Sequence, residues 1–349
     1  MTSSEIKRVL AIETSCDDTS VAIVNEQREV EALCSATRDV DHAQFGGIVP
    51  EIASRNHTFF LVPLVSEVLS RSQVSWRDIH GIAVTNRPGL IGALIVGLTT
   101  AKSLAMIHGL PFIGVNHLEG HLVAPLLRDK ESNPPEDFDF PFLALAVSGG
   151  HSTFYDVQAF GQYRILGQTR DDAAGEAFDK FAKMLGVGFP GGALIDKWAQ
   201  QGDPRAFDFP KALMDEGQLE MSFSGLKSSA QRLVSRMSPE ELLASRASLA
   251  ASFQEVLVDT LLIKLKWAQE ITGHRRVILT GGVSANSRLR EKAKSWAFQN
   301  KLSLVIPPLR YCTDNAAMIG LAGLWRLRRG ERSDLNLGPS PQSLEADFG

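Results

Sequence analysis

Cysteine is scarce: Cys16, Cys34 and Cys312 are the only three in 349 residues. None belongs to a C-x-x-C pair, so neither a disulfide framework nor a thiolate zinc site is indicated, and a reducing cytoplasm is the simplest compartment. No sign of charge dominates. There are 36 basic and 40 acidic residues, a net charge of −4. Bulk charge therefore argues against a dedicated cationic nucleic-acid binder and leaves only a local basic patch. Aromatics are few at 7%, but 44% of residues are apolar and 22% charged, a balance that argues against global disorder. No apolar run reaches the roughly 20 residues a bilayer needs. Pro88–Val115 comes nearest, but its clean stretch stops at Thr99, and Lys102 and His108 follow. It reads as a buried core helix followed by a strand, with no membrane involved. Neither G-x-x-x-x-G-K-[ST] nor the zincin H-E-x-x-H occurs, which removes support for a P-loop. Met1–Ile6 lead straight into a strand-like run, so no signal peptide is expected.

The length allows about two domains. Val9–Ile12 is apolar, Glu13–Thr19 polar and Val21–Val24 apolar again, a strand, turn and strand. The pattern returns at Phe142–Val147, Ser148–Ser152 and Thr153–Val157, pointing to two lobes of related architecture. Asp129–Asp139 reads as a surface loop near their boundary. Strands alternate with helices elsewhere, which favours an α/β fold. Helical stripes cover Glu51–Ser70 and the Phe178, Phe181, Ala182, Leu185 set, the latter with Asp172 as its cap. Ser238-Pro239-Glu240-Glu241 opens a long helix with a capping box. Arg276–Thr280 and Leu302–Ile306 read as strands. Thr313 is expected to cap a final helix that ends near the basic run Arg326–Arg332.

Three sets of residues suggest chemistry. His117 and His121 lie at i and i+4, so both imidazoles can reach one ion from one helix face. Glu119, between them, is not placed like the zincin base. Asp314 is a candidate third ligand, and two histidines with one carboxylate leave coordination positions open, as catalytic metals require. Ser148-Gly149-Gly150, Pro190-Gly191-Gly192 and Gly281-Gly282 are glycine turns that allow close backbone approach to phosphate. With the acidic turn at Asp17-Asp18 they point to a nucleotide cleft. Glu176, Asp179 and Lys183 are expected on one polar helix face, with Asp196 on the next helix.

Ten segments together resemble one family: Glu13–Thr19, Phe45–Arg55, Pro88–Leu94, Asn116–His121, Val147–His151, Asp171–Lys180, Phe189–Gly192, Ser222–Lys227, Gly281–Arg290 and Cys312–Ile319. They look like the universal tRNA threonylcarbamoyladenosine biosynthesis proteins of bacterial TsaD type, once called glycoproteases. The resemblance implies a two-lobed actin/hexokinase-like (ASKHA) fold with a nucleotide cleft between the lobes. Residues 1–130 would form the first lobe, 131–312 the second, and 313–349 a final helix packing back toward the first lobe, with a tail. It further implies a cytoplasmic acyltransferase that moves threonylcarbamoyl from threonylcarbamoyl-adenylate to the exocyclic amine of the adenosine 3′ of the tRNA anticodon, releasing AMP. Its expected partners are a TsaB-like paralogue and a TsaE-like ATPase.

By motif match, His117, His121 and Asp314 would hold one divalent metal per subunit, Fe2+ in first place and Zn2+ as rival. Ala146, Val147, Ser148, Gly149, Gly150, Asp179, Gly192, Asp196 and Asn286 would bind substrate, and Asp17 and Asp18 would lie near the reaction centre. Two departures stand out. Asn116 occupies a position where many members carry a further histidine, and Asp18 one where many carry glutamate, so the charge is kept with one methylene less reach. The rival readings are an ASKHA kinase or ATPase, a metallopeptidase, and a non-enzymatic nucleotide-binding scaffold.

Overall fold

A computed structural model describes residues 6–37, 47–188 and 190–343. Outside them lie Met1–Glu5, the first two residues of the Phe45–Arg55 segment, Phe189 and the end of the tail. Two compact units divide the chain. One is built from residues up to Glu136 and again from Pro307, the other from Asp137–Ile306. These breaks fall beyond position 130 and before position 312 because the two chain stretches join within the first unit. There the Tyr311 hydroxyl and the Arg310 guanidinium both donate to Asp129.

The first unit holds a five-stranded sheet in the order β3-β2-β1-β4-β5. Its strands are β1 (Arg8–Glu13), β2 (Thr19–Asn25), β3 (Val30–Ala36), β4 (Gly81–Arg87) and β5 (Phe112–Asn116). β1–β2 and β2–β3 pair antiparallel, β1–β4 and β4–β5 parallel. Alternate residues of β1 point to opposite faces. Leu10 and Ile12 face α1 (Pro50–Ser72) and α2 (Ile91–His108), joining Leu61, Leu64, Val65, Leu98 and Ala101 in one core. The opposite face is covered by the last helix among the described residues, α9 (Ala316–Arg328), whose Gly320 lies against Ala11 and Val24.

The second unit repeats the plan. β6 (Phe142–Val147), β7 (Ser152–Ala159), β8 (Gln162–Gln168), β9 (Arg276–Thr280) and β10 (Ser303–Val305) stand in the order β10-β9-β6-β7-β8. The pairing senses match strand for strand. The repeated strand-turn-strand opening is thus the first hairpin of each of two like sheets. Helices α4 (Ala174–Met184), α5 (Gly192–Ala199), α6 (Ser224–Val234), α7 (Pro239–Thr272) and α8 (Ser287–Gln299) belong to this unit. Its core stacks Phe181 on Phe253 at 3.9 Å between ring centroids.

Several helix starts differ from expectation. The capping box at Ser238 and Glu241 forms with both of its hydrogen bonds. Asp172, however, does not cap α4, whose cap position is Ala173. It instead pairs with Lys180 at 2.7 Å and Lys227 at 2.5 Å, because ion pairs to two lysines outweigh one backbone bond. The cap of α9 is Asn315, not Thr313: its side chain accepts from the Met318 N–H at 3.1 Å. α2 is a core helix on one side only. Ala93, Leu94, Leu98, Ala101 and Ala105 are buried, whereas Ile95 is 47% and Met106 66% exposed. By length and composition alone this helix could cross a membrane, but its inner face is already taken up by the sheet.

Candidate metal centre and substrate turns

β5 runs straight into α3 (His117–Val123). Asn116 caps it, accepting from the Leu118 N–H at 2.8 Å. Asn116, the departure from the resembled family's pattern noted above, is therefore a helix cap here. His117 and His121 project from one side of α3, their ring centroids 4.7 Å apart. Asp314 comes from the segment just before α9. Gly120 brings these elements together, since a Cβ there would lie 2.9 Å from Ile319 Cδ1 and 3.0 Å from Met318 Cγ. Glu119, fully buried, takes two bonds from the Arg326 guanidinium at 2.7 and 2.9 Å. Within H-L-E-G-H, the glutamate thus fastens α3 to α9 and the glycine lets them approach. Glu119 is committed to an ion pair and is not a hydrolytic base, which removes the basis of the peptidase reading.

Asp314 Oδ1 lies 3.3 Å from His117 Nε2 and 3.2 Å from His121 Nε2. A tetrahedral ion with arms of about 2.05 Å has edges of about 3.3 Å. The two edges that meet at Asp314 match that length, all three donors lie within 4.8 Å of one another, and no other comparable group of donors occurs among the described residues. The electrostatics agree. Burial opposes the imidazolium of His117, but the Asp314 and Glu13 carboxylates outweigh it and raise its pKa well above the usual value. Burial pushes the pKa of His121 down. Asp314 is held well below the carboxylate range, the positive His117 overcoming the burial penalty. Such a centre attracts a cation.

Asp18 and Asp314 line one cavity of about 560 Å³, together with Leu33, Ser35, Asp129 and Tyr311. Asp17 is not among its lining residues. The turn that carries both aspartates is clamped by His57 of α1, which is fully buried. Its Nδ1 stands 2.8 Å from Thr19 Oγ1 and its Nε2 3.0 Å from the Cys16 carbonyl oxygen. The Cys16 thiol is pushed far up, by burial first and by Asp17 next, so it is no nucleophile. Sequence reasoning missed His57, and it quoted Glu13 only as part of a motif. His57 lies two residues past the Phe45–Arg55 segment and nothing in its spacing sets it apart.

In the second unit the glycine turns are tied to one another. Gly281, at φ +88°, packs so closely on the end of β6 that a Cβ would lie 2.4 Å from the Val147 carbonyl oxygen. The Ser148 carbonyl accepts from the Gly175 N–H at the start of α4. Gly149 and Gly150 face open space. Asp179 is not on a solvated face. It accepts from the N–H groups of Gly191 at 2.8 Å and Gly192 at 3.3 Å, and burial raises its pKa against those bonds. Asp196 receives the Ser287 N–H at 3.0 Å and hydroxyl at 2.7 Å. Asn286 caps α8 and donates to Gln254. Ala146 and Val147 end β6. Gly186–Gly191 spells G-x-G-x-x-G, but it follows a helix instead of a strand and is not a dinucleotide turn. The arginine run is engaged: Arg326 with Glu119 and Glu331, Arg328 with Glu26, and Arg332 with the Leu327 carbonyl.

Two five-stranded sheets with the same strand order and pairing senses give a two-unit α/β fold of the actin/hexokinase-like (ASKHA) type. Part of HypF, in a phosphate- and nucleotide-bound form, is similar in fold, with a TM-score of 0.59 at 12% identity over 97% of this chain and 56% of that one. Residues 30–321 match the family described as tRNA N6-adenosine threonylcarbamoyltransferase, TsaD. The chain belongs to that family of transferases. The protein of that name from Bdellovibrio bacteriovorus is 59% identical over 98% of this chain and 99% of its own. One from Anaeromyxobacter dehalogenans is 50% identical over 95% and 98%.

Proposed function

We propose that the chain transfers threonylcarbamoyl from threonylcarbamoyl-adenylate to the exocyclic amine of the adenosine 3′ of the tRNA anticodon, with AMP as leaving group. The observation that carries this reading is the His117, His121, Asp314 centre, with ligand spacing and a cavity shared with Asp18. The donor is a mixed anhydride, so AMP leaves readily and no covalent enzyme intermediate is needed. The adenine amine is a poor nucleophile because its lone pair is delocalised. Catalysis then rests on positioning and on stabilising developing charge. The target base lies in a single-stranded loop and is extruded at low cost.

His117, His121 and Asp314 would hold the ion. The family resemblance puts Fe2+ first, with Zn2+ as rival, and two histidines with one carboxylate admit either. When bound, the ion supplies Lewis-acid polarisation of the threonylcarbamoyl oxygens. Ser148–Gly150 and Gly281-Gly282 would receive the adenylate phosphate on backbone N–H groups, and Gly192, Asp196 and Asn286 the nucleoside. The hydroxyl groups of a ribose would meet Asp196 through lone pairs that Ser287 leaves available. Asp18 would take up charge on the attacking amine, with Asp17 beside it in the turn.

An exposed apolar strip supports a protein partner. Phe59 and Val62 on α1, with Ile91, Ile95 and Met106 along one face of α2, stay exposed and offer apolar area to a TsaB-like paralogue. A TsaE-like ATPase would act on that assembly, and the reaction belongs in the cytoplasm with its tRNA. Reconstitution with threonylcarbamoyl-adenylate and a tRNA transcript, followed by nucleoside analysis, tests the reading. Threonylcarbamoyladenosine with AMP release is expected. AMP release without modified nucleoside, or ADP formation from ATP, would replace it with a hydrolase or kinase.

A further inference from the structure

Glu13 ends β1 and is completely buried. Three donors converge on it. The Ser15 N–H points at Oε1 from 2.5 Å, while the Thr85 hydroxyl at 2.5 Å and His117 Nδ1 at 3.0 Å meet Oε2. Ser15 Oγ also lies 3.1 Å from the same His117 nitrogen. Only a carboxylate offers acceptors to all three, because an amide would turn its NH2 toward one of the donors. His117 has Glu13 at one ring nitrogen and Asp314 Oδ1 at the other. A hydrogen on Nδ1 satisfies Glu13 and leaves the Nε2 lone pair facing the place where His121 Nε2 and Asp314 meet.

We propose that Glu13 is a positioning residue that fixes His117 as the Nδ1–H tautomer and so commits its Nε2 to the metal. The inference rests on the metal reading of His117, His121 and Asp314. Glu13 touches neither ion nor substrate; it acts through the imidazole. It also places a second negative charge beside the centre, so Glu13 and Asp314 together balance a divalent ion. Outer carboxylates of this kind typically alter metal affinity 10- to 100-fold. The arrangement gives the first residue of the Glu13–Thr19 segment a role distinct from that of the aspartates it precedes.

Zn2+ is the probe, chosen because it is diamagnetic. Its dissociation constant is measured by chelator competition for the full chain and for Glu13→Gln, alongside 15N shifts of the histidine rings in the loaded wild type. The expected result is a 10- to 100-fold weaker constant in Glu13→Gln, with wild-type His117 protonated at Nδ1 and ion-bound at Nε2. Equal affinity in a folded Glu13→Gln overturns the proposal. So does ion-bound Nδ1 in the wild type, a measurement that needs no variant to fold. Failure of the wild type to bind Zn2+ or Fe2+ would instead sink the metal reading itself.

Discussion

Replacing Arg326 by methionine should be among the most damaging single changes in the first unit. The guanidinium donates to both Glu119 oxygens, at 2.7 and 2.9 Å, and to Glu331 at 2.6 Å. Glu119 is 1% exposed, so water cannot replace what is lost. A pair about 4 Å apart at an effective dielectric near 20 attracts by about 4 kcal/mol, and breaking a buried pair from one side costs about 3–5 kcal/mol. Arg326 keeps 23% of its side chain exposed, which places the estimate at the lower end, about 3 kcal/mol. For a unit of this size that lowers the melting temperature by about 6–12 °C. Because Glu119 stands between the two histidines, metal affinity should fall as well. Calorimetry of Arg326→Met, with and without Glu119→Gln, checks the argument. The double variant should recover most of the loss, since no charge is left buried alone. A cost under about 1 kcal/mol in the single variant, or no recovery in the double, would refute it.

Elemental analysis of His117→Ala/His121→Ala should show the ion gone while circular dichroism stays native; full occupancy would dismiss the centre. In the metal-free chain, His117 is raised from 6.5 and Asp314 lowered from 3.8. The His117 contribution to stability is therefore complete below about pH 6.5 and lost as pH rises through its folded pKa. That of Asp314 is present above about pH 3.8 and lost as pH falls through its folded pKa. Denaturation against pH should show a maximum between the two folded values. Metal affinity should weaken about tenfold per pH unit below the His117 pKa, as a proton competes for the site. Gly149→Val should weaken adenylate binding without unfolding the chain, because a Cβ at Gly149 meets no atom within 4 Å; calorimetric titration showing wild-type affinity would move the phosphate elsewhere.

Much of the architecture is legible in the sequence because it rests on local patterns. The paired openings at Val9–Val24 and Phe142–Val157 announce two like sheets, and Ser238–Glu241 announces a helix start, because hairpins and caps are set by adjacent residues. The i,i+4 spacing of His117 and His121 is legible for the same reason. Long-range partners are not. Asp172 has a cap's place in sequence, but Lys227, 55 positions on, claims it in space. Asp179 looks solvated until the N–H groups of Gly191 and Gly192 arrive. α2 carries no polar stripe, so nothing in its hydropathy separates the face on the sheet from the face left bare. Glu13 opens a segment that stands out as a motif and His57 lies just past another, yet their roles depend on His117, Cys16 and Thr19, which only folding brings near.

His57 has a consequence for how the two sides of α1 are linked. On α1 it looks inward to the turn of Asp17 and Asp18, while Phe59 and Val62 look outward from the same helix. The helix is therefore a rod with an apolar handle on one side and a grip on the acidic turn at the other. Its grip on the Cys16 carbonyl is 3.0 Å long, and a displacement of about 1 Å along that direction takes it out of hydrogen-bonding range. Anything that seats against Phe59 and Val62 would bear on the helix that holds the acidic turn, without touching the aspartates.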